Sequence, residues 1–153
     1  MDHYTTKAEL AAKAWRELFE FFVSTRRQRD QVLERHELTP NDAKALDTLH
    51  PAEGQPMSTL AAAWGTDASN ATWVVDRLER KGLAERRADP GDRRVKLVVL
   101  TKRGETTRDA VVRAFHTPPP ELLTLTREEL ATLGQLLGKL AAPARERQGS
   151  GAS

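Results

Sequence analysis

The side chains best placed to do chemistry here are hydrogen-bonding groups, not nucleophiles. Ser69, Asn70 and Thr72 lie close together, Trp73 and Arg77 follow, and Asp92, Arg93 and Arg94 stand together further on. An asparagine amide presents a donor and an acceptor in one plane, the pattern that matches the N6/N7 edge of adenine. Serine and threonine hydroxyls bond base edges or phosphate oxygens. Guanidinium groups match phosphate, or the negative potential that a narrow A·T-rich groove concentrates. Ser58 and Thr59, upstream, carry the same hydroxyl chemistry. Reactive constellations are missing: there is no phosphate-cradling glycine loop, Gly-x-Ser-x-Gly elbow, His-Glu-x-x-His or tight carboxylate–histidine set. The expectation is a protein that is not an enzyme and carries no cofactor. With no cysteine, disulfides and thiol-based sensing are excluded, and His3, His36, His50 and His116 lack paired metal-ligand spacing, so no metal is expected.

Charge is unevenly spread along the 153 residues. Ten basic and four acidic side chains between Arg77 and Arg103 give +6 there, so a whole-chain net of +2 leaves −4 for the remainder. A local positive field on a nearly neutral chain suits a polyanion, although a solvated charged face is the plainer reading of such a run. Nothing approaches the roughly 18 uninterrupted apolar residues of a membrane helix. The start, Met1-Asp-His-Tyr, lacks a secretory pattern, so a cytoplasmic protein with no membrane partner is expected.

These residues need elements to hold them. Ala11, Trp15, Leu18 and Phe22, widened by Phe19 and Phe21, recur at helical steps and predict one long helix from Thr6 to Arg35. At roughly 45 Å it is too long for one small core, so part of its apolar face is expected to meet a second subunit. Thr39-Pro-Asn-Asp42 restarts a helix with Ala43, Leu46 and Leu49 inward, ended by the Pro51–Pro56 stretch. Ser58 can cap a short helix that buries Leu60, Ala61 and Trp64 and stops at Gly65. Asp67 or Thr66 can cap another, with Ala71, Val74, Val75 and Leu78 inward and Gly82 closing it. Two short helices joined by a glycine turn make a helix-turn-helix. That register turns Ser69, Asn70, Thr72, Trp73, Asp76 and Arg77 outward. Leu83–Arg87 and Val95–Leu100 then alternate as strands around Ala88-Asp-Pro-Gly-Asp92, a hairpin with an arginine-bearing tip. Thr101 can cap a helix to about His116, Thr117-Pro-Pro-Pro120 breaks it, and Thr126-Arg-Glu-Glu129 opens a last one with Leu130, Leu133, Leu137 and Leu140 on one face.

Three stretches of this sequence resemble the multiple-antibiotic-resistance regulator (MarR) family. They are Leu60-Ala61-x-x-Trp64-Gly65, the run Val75-Asp76-Arg77-Leu78-Glu79-Arg80-Lys81-Gly82-Leu83-x-Glu85-Arg86, and Asp92-Arg93-Arg94 followed five residues later by Leu100-Thr101. The resemblance implies a mainly α fold with a small β-wing: a winged helix-turn-helix core flanked by N- and C-terminal dimerisation helices. The boundaries read as 1–37 for the N-terminal dimerisation helix and 38–101 for the DNA-binding core. The C-terminal dimerisation helices take 102–144, and 145–153 is a polar tail expected to be disordered. It further implies a homodimer on double-stranded DNA with a palindromic operator, most simply a repressor.

Residue by residue, Ser58, Thr59, Ser69, Asn70, Thr72, Trp73, Arg77, Arg93 and Arg94 become the DNA-contact candidates. Asn70 could read adenine or serve as a second helix cap, and Arg77, deeper along the helix, is expected at a phosphate. Trp73 stands where the family often has a basic residue. It could touch a thymine methyl or sugar, or pack under the wing or against the first helix, the reading preferred from sequence. Arg94 matches the arginine of the family's Asp-x-Arg pattern, which implies minor-groove insertion with Asp92 steadying it and Arg93 on phosphate. The resemblance also suggests a small aromatic or anionic effector, with Trp15, Phe19, Phe22, Arg26, His50 and Trp64 as lining candidates. Those aromatics could equally be core and interface. A winged-helix protein-interaction module and a sequence-blind architectural DNA binder are the other readings.

Overall fold

A computed structural model describes the backbone of residues 6–150 and the side chains of residues 6–143. The elements run α1 (Lys7–Ser24), α2 (Arg27–Arg35), α3 (Pro40–Thr48), β1 (Gln55–Pro56), α4 (Met57–Trp64), α5 (Ala68–Arg80), β2 (Ala84–Ala88), β3 (Lys96–Leu100), α6 (Lys102–His116), a 3₁₀ turn (Pro120–Thr124) and α7 (Arg127–Ser150). The fold is mainly α with one small antiparallel sheet in the order β1-β3-β2.

Capping explains most boundaries. Thr39 and Asp42 exchange bonds in a capping box behind Pro40, Asp67 accepts from the Asn70 amide, and Thr101 accepts from the Gly104 amide. Gly65 and Gly82 take left-handed φ of +63° and +68°, which a side chain would oppose, and so end α4 and close the chain after α5. Gly104 has a different reason. A Cβ there would lie 1.9 Å from the Leu83 carbonyl oxygen, so α6 can start against the end of that turn only without a side chain.

The core gathers α2, α3, α4, α5, the sheet and α6 around Leu46, Leu49, Leu60, Val75, Leu78 and Val98, each almost fully buried. At about 1.5–3 kcal/mol per buried side chain of this kind, Val75 and Leu78 alone fix which face of α5 points inward. β2 pairs with β3 from Ala84 opposite Leu100 to Ala88 opposite Lys96, which builds the hairpin.

Four sequence expectations need correction. The long helix is two: Ser24 and Thr25 hydroxyls both donate to the Phe21 carbonyl and the Arg29 guanidinium donates to that of Phe22, drawing off acceptors the next turn needs. Ser58 does not cap α4; the helix begins at Met57, with Pro56 in the cap position. The Pro51–Pro56 stretch does more than end α3, since Gln55 and Pro56 form β1 against Val98 and Leu97. The helix α7 continues to Ser150 through Pro143, into the segment 145–153 read as a disordered tail. Residues 151–153 and 1–5, His3 included, lie outside the described residues.

Helix α1 buries none of its residues, and α7 leaves Leu136, Leu137 and Leu140 exposed. Both carry apolar faces that the described residues leave uncovered.

Candidate nucleic-acid interface

Two elements carry the hydrogen-bonding and arginine groups, and a third residue couples them. On α5 the buried Ala71, Val74, Val75 and Leu78 force Ser69, Asn70, Thr72 and Trp73 outward, and all four are exposed. The first turn is tied down locally. The Asn70 amide nitrogen donates to Thr66 Oγ1 at 2.6 Å, and the Thr72 hydroxyl donates to the Ala68 carbonyl at 2.8 Å. Asn70 therefore keeps its side-chain carbonyl and one N–H for an outside partner, and Thr72 keeps its acceptor lone pairs. Ser58 and Thr59 are exposed in the first turn of α4.

The wing tip is organised by aspartates. Asp89 Oδ1 accepts from the Gly91 amide at 2.7 Å, and Asp92 Oδ1 accepts from the Arg94 amide at 3.0 Å. The same Asp92 oxygen lies 3.6 Å from Arg94 Nε, while the Arg94 side chain is 95% exposed. Asp92 thus orients the arginine without covering it, and Arg93 beside it is also exposed. At the base of the hairpin, Lys102 is held above the ordinary lysine pKa by its hydrogen bond from Nζ to Glu105 and by that carboxylate's charge.

Arg86 on β2 joins the two elements. Its guanidinium pairs with Asp76 at 2.8 Å and with Glu79, both on α5, and its backbone N–H donates to Glu79 Oε1 at 2.8 Å. Exposed ion pairs add little stability, but this one is half-buried, charge-assisted and anchored at both main chain and side chain. It fixes the helix-to-wing angle, a role the sequence reading did not give Arg86. The spacing crosses a turn and an element boundary, so no periodicity reveals it.

Arg77 and Trp73 depart from expectation. The Arg77 guanidinium is anchored through Nη2, which pairs with Asp42, fully buried on α3, and donates to Thr39 Oγ1 at 3.2 Å. Its carbon lies 4.5 Å from the centre of the Trp73 ring. Trp73, preferred from sequence as a packed residue, is 52% exposed on the outer face of α5. Asp42 lies on a different helix, a pairing no sequence spacing suggests.

The six effector-lining candidates do not converge in the single chain. Trp15, Phe19 and Phe22 are exposed on α1, with Trp15 and Phe19 6.5 Å apart and Arg29 stacked on Phe22. Arg26 borders a separate open cleft with Val23 and Asp30, and His50 is exposed at the end of α3. Trp64 is part of the frame, its Nε1–H donating to Thr48 Oγ1 at 2.7 Å and joining α4 to α3. Trp64→Phe is expected to lower stability by about 1 kcal/mol through that lost bond, read as a lower urea midpoint at unchanged slope. A mainly apolar cleft of about 210 Å³ lies between α3 and α6, lined by Pro40, Ala43, Val111, Val112 and Phe115 together with Lys44, Asp47, Arg108 and His116. Among the described residues no group of three or more His, Asp or Glu could hold a metal, and no helix is long and apolar enough to cross a membrane.

Comparison with known proteins agrees with this arrangement. The MarR family pattern matches residues 38–96, from two residues before α3 to the first residue of β3. An HTH-type transcriptional regulator of Bacillus subtilis, YcgE, is 32% identical over 105 residues, covering 68% of each chain. The crystal structure of YusO from Bacillus subtilis has the same fold, with a TM-score of 0.72 over 90% of this chain and 98% of that one at 24% identity. A MepR–DNA complex from S. aureus aligns with a TM-score of 0.63 at 27% identity, over 81% of this chain and 98% of that one. Outward hydrogen-bonding groups on α5, an arginine-tipped hairpin locked to it, and these likenesses together place the chain in the MarR family of winged helix-turn-helix, DNA-binding transcription regulators.

Proposed function

We propose that the chain works in the cytoplasm as a homodimeric repressor on a palindromic operator, its two half-sites about one helical turn apart. The observation that carries this reading is the Arg86 bracket, which makes α5 and the wing one rigid reading head. A head of that kind suits simultaneous major- and minor-groove contact, with Ser69, Asn70 and Thr72 at base edges, Ser58, Thr59 and Arg93 at backbone, and Arg94 in the minor groove. The exposed apolar faces of α1 and α7 supply the surface for the two-fold mate.

Selection of bound sequences from random duplex DNA tests the reading directly. The expected result is a palindrome with fixed half-site spacing and binding that weakens steeply with salt. Enrichment without any common sequence would point to an architectural binder. A salt-insensitive association with protein alone would point to an interaction module.

Arg77 belongs to the frame in this reading, not to the phosphate contacts. Arg77→Gln should therefore leave the slope of log affinity against log salt unchanged. Had both copies in a dimer neutralised phosphates, the slope would fall by about 1.8. For relief by a small molecule, the cleft between α3 and α6 offers apolar walls with Lys44, Arg108 and the carboxylate of Asp47 in its lining, suited to an aromatic molecule with polar substituents.

A further inference from the structure

We infer that Trp73 is a specificity-determining contact for the 5-methyl group of a thymine in each operator half-site, and that Asp42 and Arg77 act through it as positioning residues. The inference rests on the proposed reading of α5 as the groove-facing helix and names the base chemistry that one position of it reads.

A tryptophan more than half exposed on a small soluble core costs free energy unless something covers it. Here its exposure is enforced. Ser69, Trp73 and Arg77 stand four residues apart and so form one row on the outer face of α5. Helical side chains lean towards the N-terminus, so the indole leans back towards Ser69 and Asn70, the end that enters a groove first. Arg77 stacks on the ring from the other side, its guanidinium carbon 4.5 Å from the ring centre. That guanidinium is itself fixed by Thr39 Oγ1 and by Asp42, whose Oδ2 also accepts from the Thr39 amide at 2.9 Å. A buried carboxylate, a guanidinium and an indole thus form a chain from the α3 N-terminus to the surface of α5. The ring is held outward by charge, with 52% of its surface open.

What such a ring can discriminate follows from the major groove. Its edges are polar at every base pair except for the thymine 5-methyl, the one apolar feature that distinguishes one base pair from another. A rigid, partly desolvated indole beside asparagine and serine suits that methyl and offers little to a G·C pair. Because Asp42 holds Arg77 back against the ring, the row offers shape and apolar contact at Trp73.

The experiment takes the duplex selected by the wild-type protein and replaces thymidines one at a time, in both half-sites together, with deoxyuridine, which lacks only the methyl. Affinity should fall at one symmetric position by about fourfold per half-site, about fifteenfold for the pair, the change expected for one buried methyl at each. Trp73→Ala should bind the thymidine and deoxyuridine duplexes equally, and its own selected site should lose the preference at that position and keep the others. Arg77→Gln should narrow the thymidine–deoxyuridine ratio with no change in salt slope, an outcome a merely structural role does not produce. Arg94→Ala should weaken both duplexes alike and preserve the ratio. Wild-type binding indifferent to every thymine methyl, or discrimination that survives Trp73→Ala, would overturn the inference while leaving the DNA-binding reading intact. Failure of the wild type to bind any duplex would overturn both.

Discussion

Replacing Trp15 and Phe19 together with aspartate is expected to yield a folded monomer whose affinity for a two-half-site operator is at least a hundredfold lower. Both side chains are more than half exposed, at 65% and 56%, and α1 contributes no buried residue to the core. The substitutions therefore remove no packing from the reading head, and the far-ultraviolet circular dichroism of the core elements should persist. What they remove is the reason for α1 to be a helix of this composition. An isolated 18-residue segment is marginal as a helix in water, and Leu10, Trp15, Phe19 and Phe22 are costly to leave wet. Burying each against a second chain contributes about 1.5–3 kcal/mol, and four carboxylates facing one another across a two-fold axis would repel instead. Loss of the dimer separates two half-site contacts that otherwise act at millimolar effective concentration. Sedimentation velocity reads the mass and a titration at fixed salt reads the affinity. A variant that still sediments as a dimer would move the interface off α1.

How much of this was legible in the sequence differs by element. The inward face of α5, the glycine stops at Gly65 and Gly82, the Thr39 and Thr101 caps and the hairpin follow from local rules, because each depends on residues within one turn or one strand pair. The break at Thr25 was hidden because the run from Ser24 to Gln31 holds no apolar residue, so periodicity is silent there; what ends α1 is competition by Ser24, Thr25 and Arg29 for backbone carbonyls. β1 was hidden because two residues have no periodicity, and only pairing with Val98 and Leu97 makes them a strand. The site shows the same division. Outward-facing Ser69, Asn70 and Thr72 could be read from the inward ones. The partners of Arg77 and Arg86 could not, since Asp42 lies 35 residues from the first and the Asp76–Glu79 pair lies beyond a turn from the second. Charges were visible; which partners they take was decided by tertiary packing, as the pairing of Arg77 with Asp42 shows.

Arg94→Ala carries the second large effect. The guanidinium stands at the wing tip with its side chain 95% exposed, and Asp92 accepts the Arg94 backbone N–H, so the side chain leaves the tip in a defined direction. Nothing in the core depends on it, so the melting temperature should be unchanged. Operator affinity should nonetheless fall at least tenfold, and about a hundredfold at low salt if each wing of a dimer loses a comparable contact, with the salt slope reduced by about 1 per arginine. Magnitude alone does not separate groove insertion from a phosphate contact, but base composition under the wing does. A narrow A·T-rich minor groove concentrates negative potential, and G·C pairs weaken that focus. Changing those pairs to G·C should cost the wild type most of what Arg94→Ala costs it, and should cost the variant almost nothing. Arg94→Lys should fall between, since an ammonium keeps the charge and loses the planar donor fork. If the base change and the substitution instead add independently, Arg94 sits on the phosphates. The wing would then supply affinity alone, leaving sequence discrimination to α5.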